Sequence, residues 1–339
     1  MSKKNSSVNL RNGFKNLRDL SKIFINFKNK IDNLNKRNYL VAVSGGPDSL
    51  ALVALTKAYL FCKKTNFHYL LINHNIRKNS GKEANQVKRL LKSININLKV
   101  LVNKKKITKN IQAEARITRY DILTSYCKKN KIKFILTAHN LEDQVETFFI
   151  RLSRGSGLKG LASMKPLSII TNQVSLFRPL LDVKKKFLIK ISKNIFGKYI
   201  KDPSNKDTKY LRTKVRNLKK PLEKSGIKYD QIFKSIQNLS SSRVTLEEYL
   251  KKIFKSFIKK NNKEISINFK KYKELNKDIK IALLNESIKS LKKNYYDHRS
   301  KKVVKLINIL NNSEFKKTTL GGCIFFKKGE NLCLKVEKT

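Results

Sequence analysis

The run Tyr39-Leu-Val-Ala-Val43 breaks into Ser44-Gly45-Gly46-Pro47-Asp48-Ser49 and then continues as a helix-like stretch from Leu50 to Leu60. The apolar run reads as a buried strand, the two glycines as a tight turn, and the residues after them as the start of a helix. The alternation continues down the chain. Strand-like runs at Leu40–Val43, His68–Ile72, Leu98–Val102 and Phe134–Thr137 are interleaved with helix-like runs at Leu50–Lys64, Lys82–Ser93, Ile111–Lys129 and Leu141–Leu152. This pattern predicts an α/β fold, a doubly wound parallel sheet with helices on both faces. Ligands in such sheets bind beyond the carboxyl ends of the strands, which is where Ser44–Ser49 falls.

The loop has the chemistry of an anion site. Two adjacent glycines let the backbone approach a phosphate with no Cβ in the way. Free N–H groups converge at the helix start, and the helix dipole adds positive potential. Ser44 and Ser49 add hydroxyl donors. The spacing matches neither G-x-x-x-x-G-K-[ST] nor G-x-G-x-x-G, which argues against ordinary P-loop hydrolases and dinucleotide-binding domains. Taken alone, the loop is also compatible with a plain glycine turn.

The net charge is +53, from 77 Lys and Arg against 24 Asp and Glu. Such an excess favours a polyanionic partner, with RNA or DNA first. Only 14 of the 77 are Arg, and the chain is crowded with Lys, Asn and Ile, residues of A/T-rich codons, so codon composition stands beside a polyanionic partner as a source of the charge. An Arg in so Lys-rich a chain marks a place that needs a planar, bidentate donor. Of Arg77, Arg116, Arg119, Arg151, Arg154, Arg178, Arg212 and Arg216, most lie within the motifs below. The four cysteines form no C-x-x-C pair, which fits a reducing compartment and weakens metal-cluster and disulfide readings. No apolar run approaches a membrane span. The basic N-terminus lacks an apolar core segment, and Asp19 and Asp32 argue against a transit peptide. A soluble, cytoplasmic protein is expected.

Residues 1–36 read as a basic extension, with Leu17, Leu20, Ile23, Phe24 and Phe27 at helical spacing. Residues 37–220 read as the α/β domain, 221–260 as a helical linker and 261–339 as a small α+β C-terminal domain.

Further clusters carry chemistry. In Thr137-Ala-His139-Asn140-Leu-Glu142-Asp143-Gln-Val-Glu146-Thr147, His139 follows a strand and Asn140 is a good N-cap. Asp143 and Glu146 are three apart and share a helix face. Paired carboxylates there can hold Mg²⁺ against phosphates or take a proton from an amine, although acidic first turns are also ordinary helix chemistry. Arg116 and Arg119, also three apart, can point from one helix face toward phosphate. His74 with Arg77, the glycine-rich stretch Arg154–Leu161 with Gly155, and Asp202-Pro-Ser-Asn205 with Tyr210, Arg212 and Arg216 complete the set.

These motifs, in this order, resemble the tRNA(Ile)-lysidine synthase family of PP-loop ATP pyrophosphatases, whose loop reads SGGxDS. The likeness is strong over residues 39–216 and weaker from 230 on. Thr213 and Lys201 stand where Asn and Glu are usual. The resemblance implies a PP-loop domain of the adenine nucleotide alpha hydrolase type, ATP as co-substrate and Mg²⁺ as metal. It also implies tRNA(Ile) with a CAU anticodon and free L-lysine as substrates, a tRNA-binding C-terminal domain and a homodimer. Longer relatives carry an additional C-terminal domain. By the same resemblance, Ser44, Gly45, Gly46, Pro47, Asp48, Ser49, His74 and Gly155 would bind the nucleotide. Asp48, Asp143 and Glu146 would hold the metal or guide the amine, His139 would contact the nucleotide, and Arg116 and Arg119 would stabilise developing charge. A tRNA cytidine thiolase of the same loop class is the alternative, and it would need paired cysteines.

Overall fold

The computed structural model describes residues 18–76, 79–103, 107, 110–200, 207–261, 264–292, 300–312 and 315–337. The chain divides into two compact units, Met1–Leu239 and Ser240–Thr339. In the first, helix α1 (Arg18–Asp32) is followed by β1 (Asn38–Val43), α2 (Pro47–Tyr59), β2 (Asn66–Asn73), α3 (Ser80–Lys92), β3 (Leu98–Val102) and α4 (Ile111–Lys129). Then come β4 (Phe134–Leu136), α5 (Leu141–Leu152), the short α6 (Leu158–Leu161), β5 (Leu167–Ile169), β6 (Ser175–Phe177), α7 (Lys185–Phe196), α8 (Leu211–Asn217) and α9 (Lys219–Lys224). Helix α10 (Tyr229–Phe257) runs past the division at 239.

The sheet order is β3-β2-β1-β4-β6-β5, parallel throughout except for the antiparallel edge strand β5. Strand β1 shows why it is central. Tyr39, Val41 and Val43 enter the core shared with α1, α2, α3 and α7, while Leu40 packs with Leu123 and Cys127 of α4 on the other face. Period-two alternation with both faces apolar is the signature of a strand buried between helix layers. The doubly wound fold is therefore the one expected from the sequence. From β1 the chain builds outward to β2 and β3, then returns to place β4 on the other side of β1. The switch point between β1 and β4 opens a crevice at their carboxyl ends.

The segment read as an N-terminal extension contributes to this core. Leu20, Phe27 and Ile31 of α1 are buried in it, and Tyr59 Oη donates to Asp32 Oδ1 at 2.6 Å, tying α1 to α2. The second unit holds a five-stranded antiparallel sheet of β7 (Ile258–Lys260), β8 (Glu264–Asn268), β9 (Lys317–Leu320), β10 (Cys323–Lys328) and β11 (Asn331–Val336), in the order β7-β8-β11-β10-β9. Helices α11 (Phe269–Glu274), α12 (Lys277–Lys292) and α13 (Ser300–Asn311) accompany it over a core of Ile265, Ile267, Leu283, Leu306 and Phe325. No helix among the described residues is long and apolar enough to cross a membrane.

Candidate active site

The glycine loop leaves β1 at Val43 and turns through Gly45, whose φ of +82° lies in the left-handed region. A Cβ at Gly45 would meet Val87 Cγ2 at 2.4 Å, so glycine is required for both conformation and space. Gly46 is the N-cap of α2 and Pro47 its first residue, a position where the missing N–H costs nothing. No side chain caps this helix, so its first-turn N–H groups are available to an anion. Ser49 Oγ accepts from Ser44 N–H at 3.2 Å and donates to Gly46 O at 3.0 Å, while the two serine hydroxyls lie 3.1 Å apart. The hydroxyls thus hold the loop shape as well as lining it.

Asp48 stands at the second position of α2. Its Oδ1 is buried and has no hydrogen-bond partner among the described residues. Burial pushes its carboxyl up to about 6, with Asp143 and Glu142 adding to the rise and Lys185 and Arg216 opposing it. Lys185 Nζ lies 3.8 Å from Asp48 Oδ2.

Across the switch point, Thr137-Ala-His139-Asn140 leads from β4 into α5. Asn140 and Asp143 form a reciprocal capping box: Asp143 N–H donates to Asn140 Oδ1 and Asn140 N–H donates to Asp143 Oδ2, each at 3.0 Å. His139 Nδ1 is 2.9 Å from Thr137 Oγ1. Burial, then the charges of Arg178, Arg212, Arg116 and Arg119, push His139 down to about 3, so it is a neutral imidazole at pH 7. His74, at the end of β2, is likewise held below its ordinary value by burial and Arg119. Both its ring nitrogens lack partners among the described residues. Arg116 stacks over the Tyr120 ring, 5.1 Å from the centroid. Arg119 thus bears on both histidines, His74 after β2 and His139 after β4, and Arg116 on His139.

The carboxylates of α5 are engaged. Arg212 Nη2 donates to Asp143 Oδ1 and Arg212 Nε to Glu146 Oε2, both at 2.7 Å. Arg216 donates from Nε to Glu146 Oε1 at 2.8 Å and from Nη2 to Oε2 at 3.2 Å. Glu146, only 2% exposed, therefore has both oxygens filled by guanidinium N–H groups and anchors α8. It is not a free metal ligand in this arrangement. Among the described residues no group of three or more His, Cys, Asp or Glu is gathered as a metal site.

Other expected residues have more local roles. Gly155, φ +66°, closes the turn after α5, and no described hydrogen bond joins it to the glycine loop. Arg151 Nη1 clamps that stretch by donating to Gly160 O and Ser163 O, at 2.7 and 3.0 Å. Arg77 and residues 201–206, including Asp202–Asn205, lie outside the described residues. Arg212 and Arg216 are the site residues whose signal the Arg-for-Lys argument already carried. Glu142 and Lys185 have no such signal. All four cysteines are free, and burial pushes the Cys127 thiol up to about 12.

Residues 20–222 match the PP-loop domain family. The tRNA(Ile)-lysidine synthase of Wolbachia pipientis wMel is 34% identical over 299 residues, 87% of this chain and 69% of that one. Its counterpart in Orientia tsutsugamushi is 43% identical over 183 residues, 54% of this chain and 41% of that one. Among solved structures, the U34-tRNA thiolase NcsA from Methanococcus maripaludis, with its [4Fe-4S] cluster, superposes with a TM-score of 0.52. That match covers 70% of this chain and 79% of the thiolase at 19% identity, a likeness of fold alone. With a glycine loop and a capped acidic helix meeting at one switch point, and relatives of this identity, the chain belongs to the tRNA(Ile)-lysidine synthase family of PP-loop proteins.

Proposed function

We propose that the protein uses ATP to join free L-lysine to C2 of the cytidine at the first anticodon position of a CAU-bearing isoleucine tRNA, giving lysidine, AMP and pyrophosphate. The observation that carries this reading is the meeting of an uncapped glycine-loop helix with the His139–Glu146 segment at the β1/β4 switch point. In the first half-reaction the C2 oxygen attacks the α-phosphorus of ATP held on Ser44–Ser49. In the second, the lysine ε-amine displaces AMP from the adenylated base. Neutral His139 suits contact with an uncharged base or ribose group, and the surrounding arginines suit phosphate charge.

Mg²⁺ fits through Asp48, whose buried Oδ1 has no hydrogen-bond partner among the described residues; Asp143 and Glu146, the other expected ligands, would join it only by releasing the Asn140 N–H and the Arg212 and Arg216 guanidiniums that fill their oxygens here. Mg²⁺ typically takes one or two carboxylates and completes its shell with phosphate oxygens and water. Bound there, it would screen phosphate charge. The second unit is basic and reads as the tRNA-binding region, and a cytoplasmic homodimer belongs to the same reading by family resemblance.

Labelled lysine, ATP and a CAU isoleucine tRNA transcript test the whole proposal. Label should enter the RNA with AMP release. Pyrophosphate release without label in the RNA would mean the amine is wrong, and light scattering at the monomer mass would remove the dimer. Asp143→Asn should abolish turnover while tRNA binding persists; near-normal turnover would take Asp143 out of the mechanism. The thiolase reading loses support because it needs paired cysteines, whereas Cys127, Cys323 and Cys333 are buried free thiols and Cys62 stands exposed and unpaired.

A further inference from the structure

Lys184, Lys185 and Lys186 are consecutive, yet their ammonium groups have different destinations. Lys184 Nζ donates to Asp230 Oδ2 at 2.5 Å. Lys186 lies over the Phe187 ring, 5.0 Å from its centroid. Lys185 turns to the loop, 3.8 Å from Asp48 Oδ2. That separation is too long for a hydrogen bond, and Lys185 Nζ donates none among the described residues. The root of the side chain is fixed all the same: Lys185 N–H donates to Glu142 Oε2 at 2.8 Å, and Lys219 Nζ holds the other Glu142 oxygen at 3.5 Å. Helix α7 packs on α2 through Leu188 and Ile191 in the core that holds Leu50 and Leu52. The result is a pinned cation beside a phosphate cradle, paired loosely with Asp48 at 3.8 Å and donating no hydrogen bond from Nζ among the described residues.

The charges of the site fall into two groups. Arg116, Arg119, Arg178 and Arg212 act on His139. Lys185, Glu142, Asp143 and Arg216 act on Asp48. A nucleotide on the glycine loop therefore meets four arginines around His139, and Lys185 together with Arg216 around Asp48.

We propose that Lys185 is a further catalytic residue, holding the β,γ-pyrophosphate end of ATP while the arginines about His139 serve the nucleoside and base. The proposal rests on the adenylation reading above. In that step a bond forms between the C2 oxygen and the α-phosphorus, and the bond from the α-phosphorus to the bridging oxygen breaks. Its electron pair leaves on pyrophosphate, and no proton moves. The Lys185 ammonium offsets the charge gathering on the leaving group, as a point charge does for phosphate.

Calorimetry of the full chain with ATP, pyrophosphate and AMP, in magnesium buffer, tests this. In Lys185→Met, affinity for pyrophosphate and ATP should fall about tenfold or more while affinity for AMP holds, a difference of about 1.4 kcal/mol. tRNA-dependent pyrophosphate release should fall about 100-fold. Lys185→Arg should recover most of both, and Lys184→Met should change neither. Unaltered pyrophosphate affinity in Lys185→Met, or an equal loss in Lys184→Met, would overturn the assignment. The binding arm needs no tRNA. A wild-type protein that binds pyrophosphate through Lys185 but incorporates no lysine would sink only the broader reading.

Discussion

Arg216 grips Glu146 through both carboxylate oxygens, across 70 residues of sequence, with N–O distances of 2.8 and 3.2 Å. Arg212 joins the same carboxylate from one turn earlier on α8 and reaches Asp143 as well. Two arginines on one side of a short helix thereby neutralise two carboxylates on one side of another.

Glu146→Gln should therefore destabilise the protein. Removing one partner of a buried pair costs about 3–5 kcal/mol, and water around the arginines, 40% and 31% exposed, reduces this to about 1–3 kcal/mol. Urea denaturation measures it. Combined with Arg216→Gln, the double variant should lose less than the sum of the single losses; strict additivity would mean that the pair does not couple.

Asp48→Asn should stabilise the ligand-free protein while abolishing turnover. The carboxyl titrates near 6 when folded and near 3.8 when unfolded, so its ionisation is disfavoured in the fold. Stability from this group is complete below pH 3.8 and is lost as pH rises through 6. At pH 7–8 the variant should gain about 1–3 kcal/mol, and the gain should vanish near pH 4. A thermal melt with the same gain at both pH values would rule out the titration as its source.

Gly45→Ala should damage the cradle. The substitution adds a Cβ at a φ of +82°, 2.4 Å from Val87 Cγ2 and 3.3 Å from Ile200 Cγ1. Strain and overpacking together cost about 2–4 kcal/mol, and ATP affinity should fall with them. Calorimetry showing wild-type ATP binding would contradict the requirement for glycine.

Binding of tRNA should weaken steeply with salt. A protein neutralising 6–10 phosphates loses about 10³–10⁵ in affinity between 50 and 200 mM salt. A flat response in a filter-binding titration would assign the charge of +53 to surface composition instead.

Helices α4 and α5 run as the sequence pattern predicts, Ile111–Lys129 and Leu141–Leu152, and β3 does too. Helix α2 begins three residues earlier than its apolar run, at Pro47, because proline fits the first helical position. The N-terminal segment shows its apolar stripe at helical spacing, but nothing local indicates that Leu20, Phe27 and Ile31 lie in the same core as β1.

The strand–loop–helix unit at Ser44–Ser49, the capped start of α5 and the α/β class are legible residue by residue, because glycine conformation, capping and hydrophobic period act within a few residues. The packing of the whole sheet decided that β4 lies beside β1, bringing His139 and Asp143 to the glycine loop. It also decided that Arg212 and Arg216 fill both oxygens of Glu146, and which of three adjacent lysines faces Asp48. Those outcomes depend on strand order and on which helix packs against which, and they join residues too far apart in the chain for any local preference to couple.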